Sequence, residues 1–285
     1  MTERETFTFE VSGGIKVAAD AMGQKEAQPV LLLHGGGQTR GSWRETIDAL
    51  AGLGYRAYAL DLRGHGETSR SPNGDYSPDA FVDDLVEVIR QTGGGAMIIG
   101  ASLGGIIGLL TGGEYGPSVV KALVMVDVAA RTNHYGVSRI QGFMRAHSNG
   151  FASVEEAADA VAAFASDRPR PKNIKGLERN LRKIGDRYFW HWDPRFMESW
   201  HPAHRAAAGR LERAARALTI PVLLVHAAHS DVLGKNEIEH LESLIPHLEY
   251  ARVEQASHMV VGDQNSDFNR AILKFLADHG PPAKG

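Results

Sequence analysis

The chain has 285 residues, with 31 Lys and Arg against 34 Asp and Glu, and a formal net charge of −3 at pH 7. No Lys/Arg-rich run accompanies that balance, so nothing argues for nucleic acid as a partner. There is no cysteine, which excludes disulfides, thiolate catalysis and cysteine-based metal sites. No apolar stretch approaches the length of a membrane span. The polar, acidic start Met1-Thr-Glu-Arg-Glu-Thr is unlike a signal peptide, so the expectation is a soluble, cytoplasmic protein. The length suits one large domain or a core with an inserted subdomain, and 43% hydrophobic residues are enough for a real core.

In chain order, Thr6–Val11 and Ile15–Ala19 flank Ser12-Gly13-Gly14 and read as a hairpin. Val30–Leu33 is a short apolar run, as a strand buried on both faces would be. Trp43–Leu53 reads as a helix with Ser42 as its N-cap, and Tyr55–Leu60 as the next strand. Ser77-Pro78 opens a helix that runs to about Thr92, a capping serine followed by a proline at the first turn. Met97–Ile99 is a strand, Leu103–Tyr115 a helix, and Ala122–Val126 another buried strand. After Asp127 the rhythm breaks. From about Arg131 to Leu218 the pattern is amphipathic and helical, over Val137–His147, Val154–Ala165, Ile174–Ile184 and His204–Ala217. Ile220–Val225, Glu237–Ile245, Glu249–Val253 and Gln264–His279 then restore strand, helix, strand and helix. Such alternation predicts an α/β fold with a mainly parallel sheet covered on both faces. The expected organisation is a core over residues 1–130 and 219–285, with residues 131–218 as a helical cap over the sheet's C-terminal edge.

Residues 96–105, Ala-Met-Ile-Ile-Gly-Ala-Ser-Leu-Gly-Gly, carry the chemistry. They read as strand, sharp turn and helix with Ser102 at the apex. The turn crowds the backbone, so small residues are needed two positions before and after the serine. The strained geometry lifts the hydroxyl clear of the sheet, and the helix N-terminus behind it favours developing negative charge. A serine is a poor nucleophile without a base. The candidate is His258, in the loop between the last strand and the last helix, whose imidazole titrates near neutrality. An acid must hold that imidazole's tautomer. Asp231 follows the Ile220–Val225 strand and gives the chain order Ser, Asp, His; Asp127, at the end of the Ala122–Val126 strand, is the alternative acid. Two fixed donors are needed for the oxyanion. The Leu103 N–H lies beside the nucleophile, and Gly36 in His34-Gly35-Gly36-Gly37 can supply the second. No G-x-G-x-x-G or G-K-[ST] pattern occurs, which argues against a nucleotide site.

The motifs His34-Gly-Gly-Gly, Asp61-Leu-Arg-Gly-His-Gly66, Gly100-Ala-Ser-Leu-Gly104, Ser230-Asp231 and Ser257-His258-Met259 together resemble the α/β-hydrolase superfamily. Within it they resemble the cap-bearing serine hydrolases related to small-molecule esterases, C–C bond hydrolases and perhydrolases. The resemblance covers residues 5–279 and implies a mostly parallel eight-stranded sheet with helices on both faces and an inserted cap. It implies Ser102 as nucleophile, Asp231 as acid, His258 as base and Gly36 with Leu103 as oxyanion donors, with a structural role for the Asp61–Gly66 turn. Epoxide hydrolases and haloalkane dehalogenases share the fold but use aspartate as nucleophile, which serine at position 102 disfavours.

The expected reaction is cofactor-independent hydrolysis of a small, largely apolar ester, thioester or lactone through an acyl-enzyme. C–C bond hydrolysis and perhydrolysis with the same residues are the alternatives, with a ligand-binding receptor of this fold as the non-enzymatic one. Trp190 and Trp192, with Phe143 and Met144, are candidate pocket residues; the competing reading is that they only anchor the cap. His226, His229 and Asp231, and separately His201 and His204, have spacings a metal could use, but no third ligand set emerges and no metal is expected. The expected partner is a small acyl substrate, not nucleic acid or a membrane, and the oligomeric state is open.

Overall fold

In the computed structural model, described over residues 3–164, 174–178, 180–206, 208–254, 256 and 266–280, the N-terminal hairpin forms as β1 (Glu5–Val11) and β2 (Ile15–Met22). The strand β3 (Pro29–Leu33), the helix α1 (Arg44–Gly52), the strand β4 (Arg56–Leu60) and the helix α2 (Pro78–Gln91) follow. Ser77 caps α2 as its sequence predicts, accepting the Ala80 N–H at 3.3 Å. Ser42 does not cap α1. A short 3-10 turn over Arg40–Trp43 leads into that helix, and Trp43 occupies the cap position with no side-chain bond. The strand β5 (Ala96–Ala101), the helix α3 (Leu103–Tyr115) and the strand β6 (Val120–Val126) complete the first half of the core.

Between β6 and the next core strand lie α4 (His134–Ala146), α5 (Val154–Phe164), α6 (Ile174–Glu178), β7 (Leu181–Ile184), β8 (Arg187–Trp190), α7 (Pro194–Ala206) and α8 (Ala208–Ala217). The insertion is therefore not all helical. The helix expected over Ile174–Ile184 stops at Glu178, and an antiparallel hairpin pairs Leu181 with Trp190 and Ile184 with Arg187. Gly185, at φ +63°, makes its two-residue turn with Asp186, a Gly-Asp pair of the kind tight hairpins need. The chain then forms β9 (Val222–Ala227), α9 (Lys235–Leu244), β10 (Leu248–Val253) and α10 (Ser266–His279).

The core strands make an eight-stranded sheet in the order β1-β2-β4-β3-β5-β6-β9-β10, with β2 antiparallel to both β1 and β4 and every other neighbouring pair parallel. Alternation along each central strand serves the two faces. Leu31, Leu33, Ile98, Leu123 and Met125 pack with residues of α2 and α3, while Val30, Leu32, Met97, Ile99 and Val124 pack with Trp43, Ile47, Phe268 and Ile272. Each such side chain contributes about 1.5–3 kcal/mol on burial. This two-sided burial explains why the central strands read as unbroken apolar runs. Among the described residues no helix is long and apolar enough to cross a membrane.

The packing of α3 sets its place on the sheet. A Cβ at Gly113 would lie 2.3 Å from Ala214 O and 2.6 Å from Ala214 Cα, so α8 touches α3 backbone to backbone. Gly113→Ala must push α8 away and is expected to cost about 1–3 kcal/mol. Gly142, inside α4, has nothing within 4 Å of such a Cβ, and Gly142→Ala should stabilise by about 0.5–1 kcal/mol. Urea midpoints of the two variants should move in opposite directions.

Candidate active site

The turn between β5 and α3 holds Ser102 at φ 47°, ψ −111°, a left-handed conformation that a residue with a Cβ adopts only under constraint. The constraints are visible. The Ser102 N–H donates to Val126 O at 3.1 Å, and Ser102 O accepts the Ile106 N–H at 3.0 Å, starting the helix. A Cβ at Gly100 would stand 2.3 Å from Gly104 O, and one at Gly104 would stand 2.4 Å from Leu33 O. The glycines two before and two after the serine are thus required by contact. Ser102 is half-buried, and Leu103, whose N–H lies in the first turn of α3, is buried behind it.

The segment after β3 forms the opposite wall. His34 donates its Nδ1–H to Gly35 O at 2.8 Å and accepts the Leu62 N–H at Nε2 at 3.0 Å. Gln38 N–H donates to Gly35 O at 3.1 Å, and Gln38 Oε1 accepts the Gly35 N–H at 2.9 Å. Residues 35–38 therefore make a tight turn with Gly36 and Gly37 at its centre. Gly37 has φ +79°, the value a type II turn demands of its third residue. A Cβ on Gly35 would lie 3.5 Å from Ser102 Cβ, so the turn stands directly against the serine. With the Gly35 N–H taken by Gln38, Gly36 is the next amide in the turn.

Two carboxylates sit in neighbouring loops. Asp127, fully buried at φ 51°, accepts the Ala227 N–H on Oδ1 at 3.1 Å and the Ser230 hydroxyl on Oδ2 at 2.7 Å. Asp231 is partly exposed, and its Oδ2 accepts from both Nε (2.8 Å) and Nη2 (2.6 Å) of Arg139 on α4. After β9, the Ala228 and His229 N–H groups donate to Val253 O and Ala256 O. His258 lies outside the described residues.

The insertion reaches the glycine turn. A Cβ on Gly37 would lie 3.2 Å from both Met144 Cε and Trp192 Cζ3, and one on Gly36 would lie 3.8 Å from Phe196. Trp192 and Met144 therefore stand over the turn. Trp190 stacks behind Trp192 with centroids 5.0 Å apart, and Phe143 lies further out, stacked on Phe164 at 4.4 Å.

Residues 28–264 match the family described as the alpha/beta hydrolase fold. The chain belongs to the α/β-hydrolase family. An esterase of Mycobacterium tuberculosis is 29% identical over 263 residues, which cover 88% of this chain and 82% of that protein. The bifunctional epoxide hydrolase 2 of Sus scrofa is 23% identical over 309 residues, covering 93% of this chain but only 54%, about half, of its own length. The crystal structure of E-2-(acetamidomethylene)succinate hydrolase superposes with a TM-score of 0.84 at 21% identity, over 96% of this chain and 99% of that one, a likeness of fold.

Two polar residues of this α/β-hydrolase site escape sequence reading. Gln38 sits four positions after His34 with no motif to mark it. His191 lies between two tryptophans that draw attention as hydrophobic surface, yet its ring bonds the Gly66 N–H and Gly37 O. It belongs to a row of buried rings, His34, His65 and His191, with centroids 5.1 and 5.8 Å apart along the row. Burial holds all three neutral. It takes His34 down to about 4 and, with help from neighbouring His34, His65 to about 3, while His191 lies well below its ordinary value.

Above the ordinary value of 6.5 these rings are neutral in both states; below it, the unfolded chain binds protons that the native rings refuse. Stability should therefore fall as pH drops from 6.5 through 4, by up to about 1.4 kcal/mol per ring per pH unit. Urea midpoints at about pH 7 and about pH 5.5, above the carboxylate range, should show the loss. Equal midpoints would show that the rings titrate as if exposed.

Proposed function

We propose that this chain is a serine hydrolase that cleaves a small, largely apolar ester, thioester or lactone through an acyl-enzyme. The observation that carries the reading is Ser102, held at a positive φ at the N-terminus of α3, half-buried, and set against the glycine turn. Strain of about 1–3 kcal/mol persists only where the surroundings over-determine it, and here its effect is to project a hydroxyl. In this mechanism Ser102 Oγ attacks the substrate carbonyl carbon as His258 takes its proton. The N–H groups of Gly36 and Leu103 hold the oxyanion, and the proton passes from His258 to the departing oxygen or sulfur. Water then repeats the sequence on the acyl-enzyme and restores Ser102. Residues 131–218 act as the cap, and Met144, Trp192 and Phe196 over the turn favour an apolar acyl group.

Asp231 is the carboxylate that orients His258. Among the described residues both Arg139 bonds fall on Oδ2, which leaves Oδ1 for the imidazole N–H. A second reading gives the role to Asp127. Its favouring observation is position: it follows Val126, whose carbonyl takes the Ser102 N–H, and it is fully buried.

Mass spectrometry of the folded protein after a fluorophosphonate probe should find one adduct, on Ser102, and Ser102→Ala should lose more than about a hundredfold of ester turnover. No adduct on folded protein would overturn the nucleophile assignment. Asp231→Asn should lower kcat by orders of magnitude, about 10⁴-fold in the best-studied triad, with Asp127→Asn far milder. The reverse ranking would move the acid to Asp127.

A further inference from the structure

His191 makes two hydrogen bonds that leave its chemistry no freedom. A backbone N–H only donates, so Nδ1, which meets the Gly66 N–H at 2.8 Å, is an acceptor and carries no proton. The proton of the neutral ring is therefore on Nε2, which donates to Gly37 O at 3.2 Å. The ring is 2% exposed and crosses Trp192 at 87° with centroids 5.4 Å apart. Its own backbone is fixed as well, with the His191 N–H on Asn180 O at 3.0 Å and the Asp193 N–H on Gly64 O at 2.8 Å. One imidazole from the insertion thus ties together two core loops that are far apart in the chain.

The loop it grips needs such a tie. Glycine loses more conformational freedom on ordering than any other residue, and Gly35, Gly36 and Gly37 follow one another. The bonds made by His34 and Gln38 fix the Gly35 peptide groups, at the entry of the turn. At the exit, Gly37 is held at φ +79° with its carbonyl on His191. Release of that carbonyl lets the Gly37–Gln38 peptide rotate and takes the Gln38 N–H off Gly35 O; the Gly35–Gly36 peptide, which carries the Gly36 N–H, then keeps only the bond from His34.

We infer that His191 is a positioning residue for the oxyanion donor: as the Nε2–H tautomer clamped between Gly66 and Gly37, it fixes the direction of the Gly36 N–H. The inference rests on the reading of Gly36 as donor and gives the inserted segment a direct part in catalysis as well as in binding. It also accounts for a histidine between two tryptophans, where an apolar residue would otherwise serve the packing.

Three variants and one spectrum test it. His191→Phe keeps a ring of similar shape but neither hydrogen bond. His191→Asn offers Oδ1 to the Gly66 N–H but cannot reach Gly37 O, so it serves should the Phe variant not fold. His191→Gln carries an acceptor and a donor at nearly the imidazole spacing. With a p-nitrophenyl ester, Phe and Asn should lower kcat about tenfold to a hundredfold, the scale of a displacement of about 1 Å at a reacting group, with KM within about threefold. Gln should restore most of the loss. Unchanged kcat in a folded Phe or Asn variant, or a change confined to KM, overturns the inference, as does failure of Gln to rescue. Independently of turnover, ¹⁵N NMR of the wild-type ring at neutral pH should show a protonated Nε2 and a bare Nδ1. The other tautomer or an imidazolium overturns the clamp, whereas an absent Ser102 adduct would sink the hydrolase reading and leave the spectrum to judge the clamp.

Discussion

Gly104 approaches Leu33 so closely that a methyl group between them would overlap the Leu33 carbonyl, at 2.4 Å. This contact seats the first turn of α3 on β3 and β5, and the rest of the site follows from it. Because the helix starts there, the chain must turn within one residue of the β5 end, which forces Ser102 to a positive φ. Because Leu33 is the last residue of β3, the same contact brings the His34–Gly37 segment alongside the serine. Ser102, the N-terminus of α3 and the glycine turn are thus placed by one close approach of backbone to backbone. A single added carbon would separate them.

Around that apolar contact the polar groups act as spacers between loops. Asp61, fully buried, accepts the Arg40 N–H at 2.7 Å and the Glu67 N–H at 2.9 Å, and pairs with the Arg40 guanidinium, which also reaches Asp20 and Glu67. Gly66 has φ +53°, and a Cβ there would fall 2.1 Å from Asp61 Oδ2, so the turn closes directly over the carboxylate. A buried ion pair of this kind contributes little net stability against a hydrophobic replacement. Its effect is geometric, since it holds the segment after β3 against the segment after β4. The insertion joins the same framework at Asp193, which accepts the Tyr76 hydroxyl at 2.7 Å while Arg195 bonds Ser71 O at 2.8 Å. Burial and the Asp193 carboxylate push that tyrosine up to about 12, so the latch stays a neutral hydroxyl on a carboxylate over the working pH range.

The insertion therefore meets the core in two ways. Aromatic and thioether surface from Trp192, Met144 and Phe196 lies over Gly36 and Gly37, and polar groups from His191, Asp193 and Arg195 enter the core loops. The apolar contacts cover the glycine turn, and the polar contacts set register. Hydrophobic packing alone tolerates sliding; a ring nitrogen 2.8 Å from one N–H does not. The insertion thus meets the glycine turn through both kinds of contact.

Much of this was legible in the residues. The central strands declare themselves because two-sided burial demands continuous apolar runs, and Gly-Ala-Ser-Leu-Gly declares the turn because only small residues fit its contacts. The β7–β8 hairpin was hidden, since Leu-Arg-Lys-Ile and Arg-Tyr-Phe-Trp mix polar and apolar residues at no helical or strand period, and Gly185-Asp186 was the only punctuation. Composition could not separate Trp192, which lies on the glycine turn, from Phe143, which stacks on Phe164. The sequence by itself determined the fold, the nucleophile candidate and the glycines around it, because each depends on contacts between residues close in the chain or on a repeating pattern of burial. Tertiary structure alone decided that Asp231 carries an arginine, that Asp127 is sealed, and that His191 joins Gly66 to Gly37. Those facts are distances between residues scores of positions apart, and no local pattern encodes a distance.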